Sequence, residues 1–316
     1  MSTSGGAITL ADLENGGKLA LTRALAALER APEAAASLSL LDAAFAAPRA
    51  QVIGVTGPPG VGKSTLLGRL IGRTRESGQR VAVIAVDPSS RRSGGALLGD
   101  RIRLITDPAD EGVFVRSMAA RDRLGGLADL TMAAMVLLRA LYDRVLIETV
   151  GVGQSEADVA GVADTVVFCV QPASGDALQF MKAGIVEIPH IAVVTKADLG
   201  NAASRALADL KGALSLTTAQ DADEWPVVTL AASATRGDGL DALLAALDQR
   251  AAWLGEHGRL AMARQAQAEA WLREAVRDRF GRDGLARAAA QSQNFRLAAG
   301  QSPFARLAEL AESLRR

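Results

Sequence analysis

Short apolar runs alternate with segments of helical period along the middle of the chain. The runs are rich in Val and Ile, as is typical of strands that are buried on both faces. Between them, segments such as Leu127–Leu141 and Ala203–Leu214 have helical periodicity. The predicted strands are Val52–Thr56, Arg80–Val86, Val113–Arg116, Arg144–Glu148, Thr165–Val170, His190–Thr195 and Val227–Leu230. This alternation predicts an α/β fold with a mostly parallel central sheet flanked by helices, whose ligands bind at the carboxyl ends of the strands.

Two regions outside this alternation have a helical pattern. Lys18–Arg30 and a segment around Ala34–Ala47 are rich in alanine and leucine. Near the other terminus, helices are predicted at about Gly258–Arg279 and Ser302–Leu314, with Gly281 and Gly284 between them. Both regions could simply pack on the core. For the carboxyl-terminal one we expect a dimerisation arm instead.

The most specific motif is a glycine-rich loop between a predicted strand and a predicted helix. Residues 57–64 read Gly-Pro-Pro-Gly-Val-Gly-Lys-Ser, which matches the phosphate-binding pattern in full. The backbone N–H groups of such a loop surround phosphates, and the following helix adds its dipole. Lys63 is expected to reach the β- and γ-phosphates, and Ser64 to bind Mg²⁺. The predicted phosphate contacts are Gly57, Pro58, Pro59, Gly60, Val61, Gly62, Lys63, Ser64 and Thr65.

The phosphate loop and the two helical regions together predict that the chain has three parts. We expect a helical amino-terminal extension over residues 1–48, a P-loop domain over residues 49–250 and the helical carboxyl-terminal region over residues 251–316. A chain of 316 residues, 49% of them hydrophobic, is long enough for a full α/β core with such extensions.

Composition argues against several other classes of function. Basic and acidic residues balance at 35 each, so there is no electrostatic signature of binding to nucleic acid or to a membrane. The single cysteine, Cys169, lies in an apolar run and is expected to be a buried small hydrophobe rather than part of a disulfide or thiolate site. No apolar stretch is long enough to span a bilayer, and the polar start has no secretory signal. We therefore expect a cytoplasmic protein.

Carboxylates follow the predicted strands at the same edge of the sheet. Asp87 comes after the second strand and Asp100 follows in a glycine-rich segment, and either could lie near Mg²⁺ or the attacking water. Glu148 ends an apolar strand, and Gly151 follows three residues later. Downstream of a phosphate loop, this spacing predicts that the carboxylate holds a metal-bound water while the Gly151 N–H contacts the γ-phosphate.

A segment further along the chain predicts that the nucleotide base is guanine. Thr195-Lys-Ala-Asp198 ends the sixth predicted strand, and the carboxylate of Asp198 can accept hydrogen bonds from N1–H and the exocyclic amine of guanine. Lys196 belongs to the same element. GTPases usually have Asn where this chain has Thr195, and that Asn ties the segment to the phosphate loop. The residues expected to contact guanine O6 through backbone N–H groups are Ser233, Ala234 and Thr235.

Taken together, these motifs resemble the MeaB/ArgK family of P-loop GTPases, the bacterial relatives of the human methylmalonic aciduria type A protein. The resemblance runs from about residue 18 to the end of the chain and implies a G domain of the SIMIBI type. Besides the loop, it is carried by Asp87-Pro-Ser-Ser, Ser93-Gly-Gly-Ala-Leu-Leu-Gly-Asp-Arg-Ile-Arg, Arg116-Ser-Met-Ala, Leu124-Gly-Gly-Leu, Glu148-Thr-Val-Gly-Val-Gly-Gln-Ser-Glu, Gly175-Asp-Ala-Leu-Gln-Phe-Met-Lys-Ala-Gly-Ile and Ala299-Gly-Gln-Ser-Pro-Phe-Ala.

The resemblance implies a homodimeric GTPase that serves a coenzyme B12-dependent acyl-CoA mutase. Such a chaperone uses GTP binding and hydrolysis to gate adenosylcobalamin delivery to the mutase and to protect or reset the mutase after inactivation. Adenosylcobalamin then belongs to the mutase, and a cobalamin adenosyltransferase is an indirect partner. Mg²⁺ with GTP or GDP is the implied cofactor of this chain.

The resemblance also implies roles for individual residues. Lys63, Asp87, Asp100 and Glu148 form the implied catalytic set, and the last three surround Mg²⁺ and the hydrolytic water together with Ser64. Residues 148–156, including Gln154, form one implied switch. A further implied switch, which relays the nucleotide state to the mutase, contains Asp176, Gln179 and Lys182. The alternative for Asp176 and Lys182 is a solvated helix start.

Several departures from the family pattern leave the client open. This chain has Arg121-Asp122-Arg123 where relatives commonly have Arg-Gly-His, and Gln171 begins a segment that commonly starts with Pro-Gly. The client implied by the resemblance is therefore methylmalonyl-CoA mutase or a relative, for which the isobutyryl-, 2-hydroxyisobutyryl- and ethylmalonyl-CoA mutases are the candidates.

Three other classes of function stay open as alternatives. A small-molecule kinase would need an acceptor pocket, and no segment is dedicated to one. A metal-insertion GTPase would need a Cys/His site, whereas the chain offers Cys169 and the distant His190 and His257. A scaffold would not require carboxylates around an intact phosphate loop.

Overall fold

The computed structural model describes residues 8–87, 107–119, 129–149, 158–172, 189–215, 224–291 and 295–315. The chain divides into two compact units. The first contains residues 1–50, 129–143 and 261–316, and the second contains residues 51–128 and 144–260. The internal segment 129–143 thus groups with the two terminal regions, which the sequence-based division into three parts did not anticipate. The dimerisation role of residues 251–316 stays a prediction.

The second unit is built on a parallel sheet, which confirms the predicted α/β fold. In the described part of the chain the sheet has seven strands, in the order β3-β2-β4-β1-β5-β6-β7, and every paired neighbour is parallel. The strands are β1 (Gln51–Thr56), β2 (Val81–Asp87), β3 (Val113–Ala119), β4 (Arg144–Glu148), β5 (Thr165–Val170), β6 (Ile191–Val194) and β7 (Val228–Ala231). Since all of them run in one direction, their carboxyl ends share one edge of the sheet.

The predicted strand bounds differ from the observed ones mainly at β3. The prediction ended that strand at Arg116, but pairing with β2 continues as far as Ala119 opposite Asp87. The prediction for the sixth strand was too long, since β6 ends at Val194 and Thr195 lies beyond it.

Helices of the second unit cover both faces of the sheet. Those that lie in the described residues are α3 (Lys63–Glu76), α5 (Asn201–Ser215) and α6 (Leu240–Gly255). Alternate residues of β5 point to opposite sides, so Cys169 packs in a cluster with α3 and α6 while Phe168 packs in a cluster with α5. Cys169 is fully buried, as predicted, and burial raises the pKa of its thiol to about 12. The thiol is therefore neutral and inert.

The first unit is helical. It contains α1 (Leu10–Arg30), α2 (Ala35–Ala46), α4 (Asp129–Leu141), α8 (Pro303–Arg315) and, from residue 261 onward, α7 (Arg259–Gln291). Its apolar cluster joins α7 and α8, with Trp271 and Phe304 having ring centroids 5.0 Å apart. An ion pair of 2.6 Å between Arg279 and Glu33 adds a contact between α7 and the α1–α2 connection.

Glycines interrupt two of these helices. In α1, Gly17 has φ 57° and lies just before Lys18, where the helix was predicted to start. The observed helix begins earlier, at Leu10, and Thr9 is its N-cap. Gly281 has φ 67° where a break was predicted, but helical structure then resumes and continues past Gly284 to Gln291, contrary to the prediction. Apolar residues beyond the break pack in the cluster of the first unit, which explains why the helix continues. Within the described ranges, no helix combines the length and hydropathy needed to cross a membrane.

Candidate nucleotide-binding site

The phosphate loop connects β1 to α3, and glycine is required where it leaves the strand. Gly57 has φ 132°, and a Cβ atom there would lie 2.2 Å from the carbonyl oxygen of Cys169. Any other residue would therefore clash with the neighbouring strand. Gly62 precedes α3 in a left-handed conformation and has no side chain to cap the helix. The first N–H groups of α3 are thus placed to bind an anion.

Lys63 occupies the first position of α3, and its ammonium group lies inside the loop. Its Nζ donates hydrogen bonds to the carbonyl oxygens of Gly57 at 2.7 Å and Pro58 at 3.0 Å. The side chain is buried. A positive charge held by neutral carbonyls is available to phosphate oxygens entering the loop.

Ser64 and Glu148 meet at the carboxyl ends of adjacent strands. Glu148 is opposite Val55 in the pairing of β4 with β1, and its Oε1 accepts a hydrogen bond of 2.7 Å from the Ser64 hydroxyl. Glu148 is buried. Next to it, the Thr149 hydroxyl donates to that of Thr56 at 2.8 Å. Hydroxyl and carboxylate oxygens are the ligands that Mg²⁺ prefers, so Ser64 and Glu148 together fit this ion.

Thr195 connects the segment predicted to read the base to the phosphate loop. Its hydroxyl lies 2.7 Å from the carbonyl oxygen of Val61 and 3.0 Å from that of Val170. The next residue, Lys196, has φ 53°, and its Nζ donates to the carbonyl oxygen of Gly60 at 3.1 Å and to Oε1 of Gln171 at 2.7 Å. Two consecutive side chains therefore hold the segment against the loop, although Asn is absent.

Asp198 is oriented by hydroxyl groups from the segment after β7. Its Oδ1 accepts hydrogen bonds from Ser233 at 2.6 Å and Thr235 at 3.4 Å. The Ser233 hydrogen bond is the largest cause that lowers the pKa of the Asp198 carboxyl below its usual value. Asp198 is therefore an ionised acceptor at neutral pH, as reading of the guanine N1–H and amine requires.

A cavity of about 250 Å³ lies at this site. It lies between α3 and the ends of the strands and contains residues of the phosphate loop as well as residues of the base-reading segments. Its lining comprises Val61, Gly62, Thr65, Leu66, Thr195, Lys196, Asp198, Ala232, Ala234 and Thr235. The segments predicted to read phosphate and base thus both contribute to this lining, while their roles in binding stay predictions.

The described side chains do not include all of the predicted site residues. Asp87 ends β2 at the same edge of the sheet, opposite Ala119, but only its backbone is described. The predicted residues that lie outside the described ones are Asp100, Gly151, Gln154, Asp176, Gln179 and Lys182. In the described ranges, no group of three or more His, Cys, Asp or Glu side chains could hold a metal ion.

The structure adds residues that the sequence did not single out. Arg69, on α3, donates hydrogen bonds to the carbonyl oxygens of Ala234 at 2.6 Å and Thr235 at 3.1 Å. Gln171 was noted for its departure from the family pattern, but its contact with Lys196 was not expected. For Arg69 the sequence offered one signal, since it lies four residues after Thr65 and hence on the same side of the helix.

Comparison with known proteins finds similarity over most of the chain. A family model described as methylmalonyl Co-A mutase-associated GTPase MeaB matches residues 21–289. The GTPase ArgK of Escherichia coli is 39% identical over 228 residues, which are 70% of this chain and 68% of that protein. The mitochondrial methylmalonic aciduria type A homolog of Mus musculus is 39% identical over 223 residues, which are 70% of this chain and 54% of that protein. A solved structure of a LAO/AO transport system kinase is 30% identical in sequence and has a TM-score of 0.66. The structural match covers 97% of this chain and 96% of that chain.

Proposed function

The chain belongs to the MeaB family of GTPases, and from this membership we propose that it hydrolyses GTP with Mg²⁺ and acts as a chaperone of a coenzyme B12-dependent acyl-CoA mutase. In this proposal the nucleotide cycle gates adenosylcobalamin loading and protects or reactivates the mutase. The client is methylmalonyl-CoA mutase or a close relative such as the isobutyryl-, 2-hydroxyisobutyryl- or ethylmalonyl-CoA enzyme.

The cavity between the phosphate loop and Asp198 is the observation that carries the GTPase part of the proposal. Its lining includes Gly62 and Thr65 as well as Asp198 and Ala234. A nucleotide bound there would place its phosphates on the N-terminus of α3 and its base against the ionised carboxylate. A guanine base fits this carboxylate because it presents two N–H donors, whereas adenine lacks the N1–H.

The side chains at the phosphate end have separate proposed tasks. Lys63 neutralises charge on the β- and γ-phosphates from inside the loop. Ser64 and Glu148 are the described residues proposed to hold Mg²⁺, and Asp87 and Asp100 are proposed to join them. The ion, when bound, neutralises phosphate charge during hydrolysis. Glu148 also orients the attacking water.

The partner part of the proposal is supported by the family description and by the name of the mouse relative. We propose that Gln154 in one switch, and Asp176, Gln179 and Lys182 in another, report the nucleotide state to the mutase. We further propose a cytoplasmic homodimer that pairs through residues 251–316 and works with a cobalamin adenosyltransferase only indirectly.

The test is a GTPase assay with and without each candidate mutase. A partner that favours one nucleotide state must change the nucleotide reaction in turn, since linkage is reciprocal. Phosphate release should therefore rise when the true client is added, and that client should co-purify with the GTP-bound chain. Glu148→Gln should remove both basal and stimulated hydrolysis while leaving GTP bound.

A control variant is Glu76→Gln, which changes an exposed carboxylate at the end of α3. It should behave as the wild type. If the wild type hydrolyses GTP but no candidate mutase binds it or changes its rate, the chaperone role is wrong. If no GTP is hydrolysed under any of these conditions, the GTPase reaction itself is wrong.

A further inference from the structure

Arg69 lies on α3, the helix that follows the phosphate loop, and forms hydrogen bonds with the loop after β7. Its Nε donates to the carbonyl oxygen of Ala234 at 2.6 Å, and one terminal nitrogen donates to that of Thr235 at 3.1 Å. A guanidinium presents its donors as a rigid planar fork, so two adjacent carbonyls on one fork fix the orientation of both peptide groups. The loop after β7 is thereby tied to α3.

The orientation of these carbonyls determines where the neighbouring N–H groups point. In a trans peptide, the N–H of Thr235 lies opposite the carbonyl of Ala234. The carbonyl of Ser233 is held as well, because it accepts a hydrogen bond of 2.8 Å from the N–H of Gly237. Within the described ranges, the N–H groups of Ala234 and Thr235 have no acceptor, and both residues line the cavity.

We propose that Arg69 is a positioning residue for purine recognition, which holds the 234–235 loop so that its N–H groups meet O6 of the base. The inference rests on the proposed function, because it presumes that guanine occupies the cavity. Thr65 and Leu66 line the cavity one helical turn before Arg69 on the same helix. Arg69 therefore sets the distance between the wall formed by α3 and the loop that reads O6.

Three nucleoside diphosphates separate this role from that of Asp198. In 6-thioguanosine diphosphate, sulfur, a weaker acceptor, replaces O6 while N1–H and the amine remain. Inosine diphosphate keeps O6 and N1–H but lacks the amine that Asp198 reads. The affinity ratio of GDP to the thio analogue thus reports on the 234–235 loop, and the ratio of GDP to IDP reports on Asp198.

The experiment measures both ratios by competition binding for the wild type, Arg69→Met and Arg69→Lys. Arg69→Met should lower the ratio of GDP affinity to thio-analogue affinity about five- to tenfold, which corresponds to the loss of roughly one hydrogen bond. The ratio of GDP to IDP should stay as in the wild type. Arg69→Lys keeps the charge but not the fork and should lose selectivity in the same direction.

Arg73→Met is the matched control, because Arg73 is on the same helix and binds the carboxylate of Asp241 at 2.8 Å instead of the loop. It should change neither ratio. Unchanged ratios in both Arg69 variants, or an equal loss of affinity for all three nucleotides, would overturn the inference. A wild type that binds ADP as well as GDP would instead refute the proposed function.

Discussion

The hydroxyl of Thr195 lies 2.7 Å from the main-chain carbonyl oxygen of Val61, so the segment predicted to read the base is hydrogen-bonded directly to the phosphate loop. The same hydroxyl lies 3.0 Å from the carbonyl of Val170. It has one proton and therefore donates to one carbonyl at a time or shares the proton between them. The usual asparagine is absent, but the connection that it makes in other GTPases is present here through a shorter side chain.

Replacement of Thr195 by Val should weaken guanine nucleotide binding. The change keeps the shape of the side chain but leaves the buried carbonyl of Val61 without this donor, which costs about 1 to 3 kcal/mol. Only the part of this cost that affects the nucleotide-bound state more than the apo protein lowers affinity. We therefore expect about a five- to tenfold loss of GDP affinity, measured by titration. Thr195→Ser, which keeps the hydroxyl, should bind as the wild type does.

Thr165→Val is the matched control for that experiment. Thr165 is also fully buried, but it lies at the start of β5, and in the described part of the chain its hydroxyl has no hydrogen-bond partner. Removal of an unsatisfied buried hydroxyl should leave nucleotide affinity unchanged and stability equal or higher. Equal affinity losses in Thr195→Val and Thr165→Val would show that the effect comes from general loss of packing.

The sequence predicted the parts of the site that depend on local pattern. The loop at residues 57–64 could be identified because its glycines and Lys63 follow a strand, and Glu148 because it ends an apolar run. Parallel strands bring their carboxyl ends to one edge of the sheet, so the fold class predicted that the loop and Glu148 lie close together. Each of these inferences needed only residue order and the direction of the strands.

The contacts of Thr195 and Arg69 could not be predicted in the same way. Whether a hydroxyl reaches the carbonyl of Val61 depends on a few tenths of an ångström between separate segments, which no periodicity encodes. The grouping of residues 129–143 with the terminal helices likewise depends on tertiary packing. Their apolar helical pattern is compatible with packing in either unit.

Replacement of Asp198 by Asn should change the base preference from guanine to xanthine. The carboxylate accepts from two guanine N–H groups, and the loss of two charge-assisted hydrogen bonds should lower GDP affinity roughly a hundredfold. The new amide donates to the O2 oxygen of xanthine, so XDP should bind better than GDP. Competition binding with the two nucleotides measures the change.

Asp209→Asn serves as the control for Asp198→Asn, because it removes an exposed carboxylate from α5 without approaching the cavity lining. It should retain the wild-type preference for GDP. If Asp198→Asn also keeps that preference, another group reads the base and the assignment of Asp198 fails.

Replacement of Lys63 by Ala should abolish GTP hydrolysis. The ammonium group lies against the carbonyls of Gly57 and Pro58 inside the loop, so its loss removes charge stabilisation of the phosphates as well as two hydrogen bonds. We expect single-turnover phosphate release at saturating GTP to fall at least about a hundredfold. Lys211→Ala, on the exposed side of α5, should hydrolyse GTP at the wild-type rate. Retained turnover in Lys63→Ala would refute the proposed active site.

His190 makes the stability of the second unit sensitive to acid. Its Nδ1 accepts a hydrogen bond of 2.9 Å from the N–H of Val166, which requires that nitrogen to be unprotonated. Burial, and secondarily the charge of Arg250, lowers the pKa of His190 from 6.5 to about 4, while Asp164 opposes the shift. Between these two pH values the unfolded chain binds a proton that the folded chain does not, so the stabilisation is complete above about pH 6.5 and is lost as the pH falls towards 4.

Replacement of His190 by Asn should therefore flatten the pH dependence of unfolding. The amide oxygen can still accept from Val166, but it does not titrate. Between pH 7.5 and pH 5, the wild type should lose about 2 kcal/mol more stability than Asn-substituted protein, measured by urea unfolding at each pH. His257→Asn is the control, because His257 is exposed and asparagine tolerates its φ of 53°. If His190→Asn loses as much stability in acid as the wild type and the control, His190 is not held neutral by the fold.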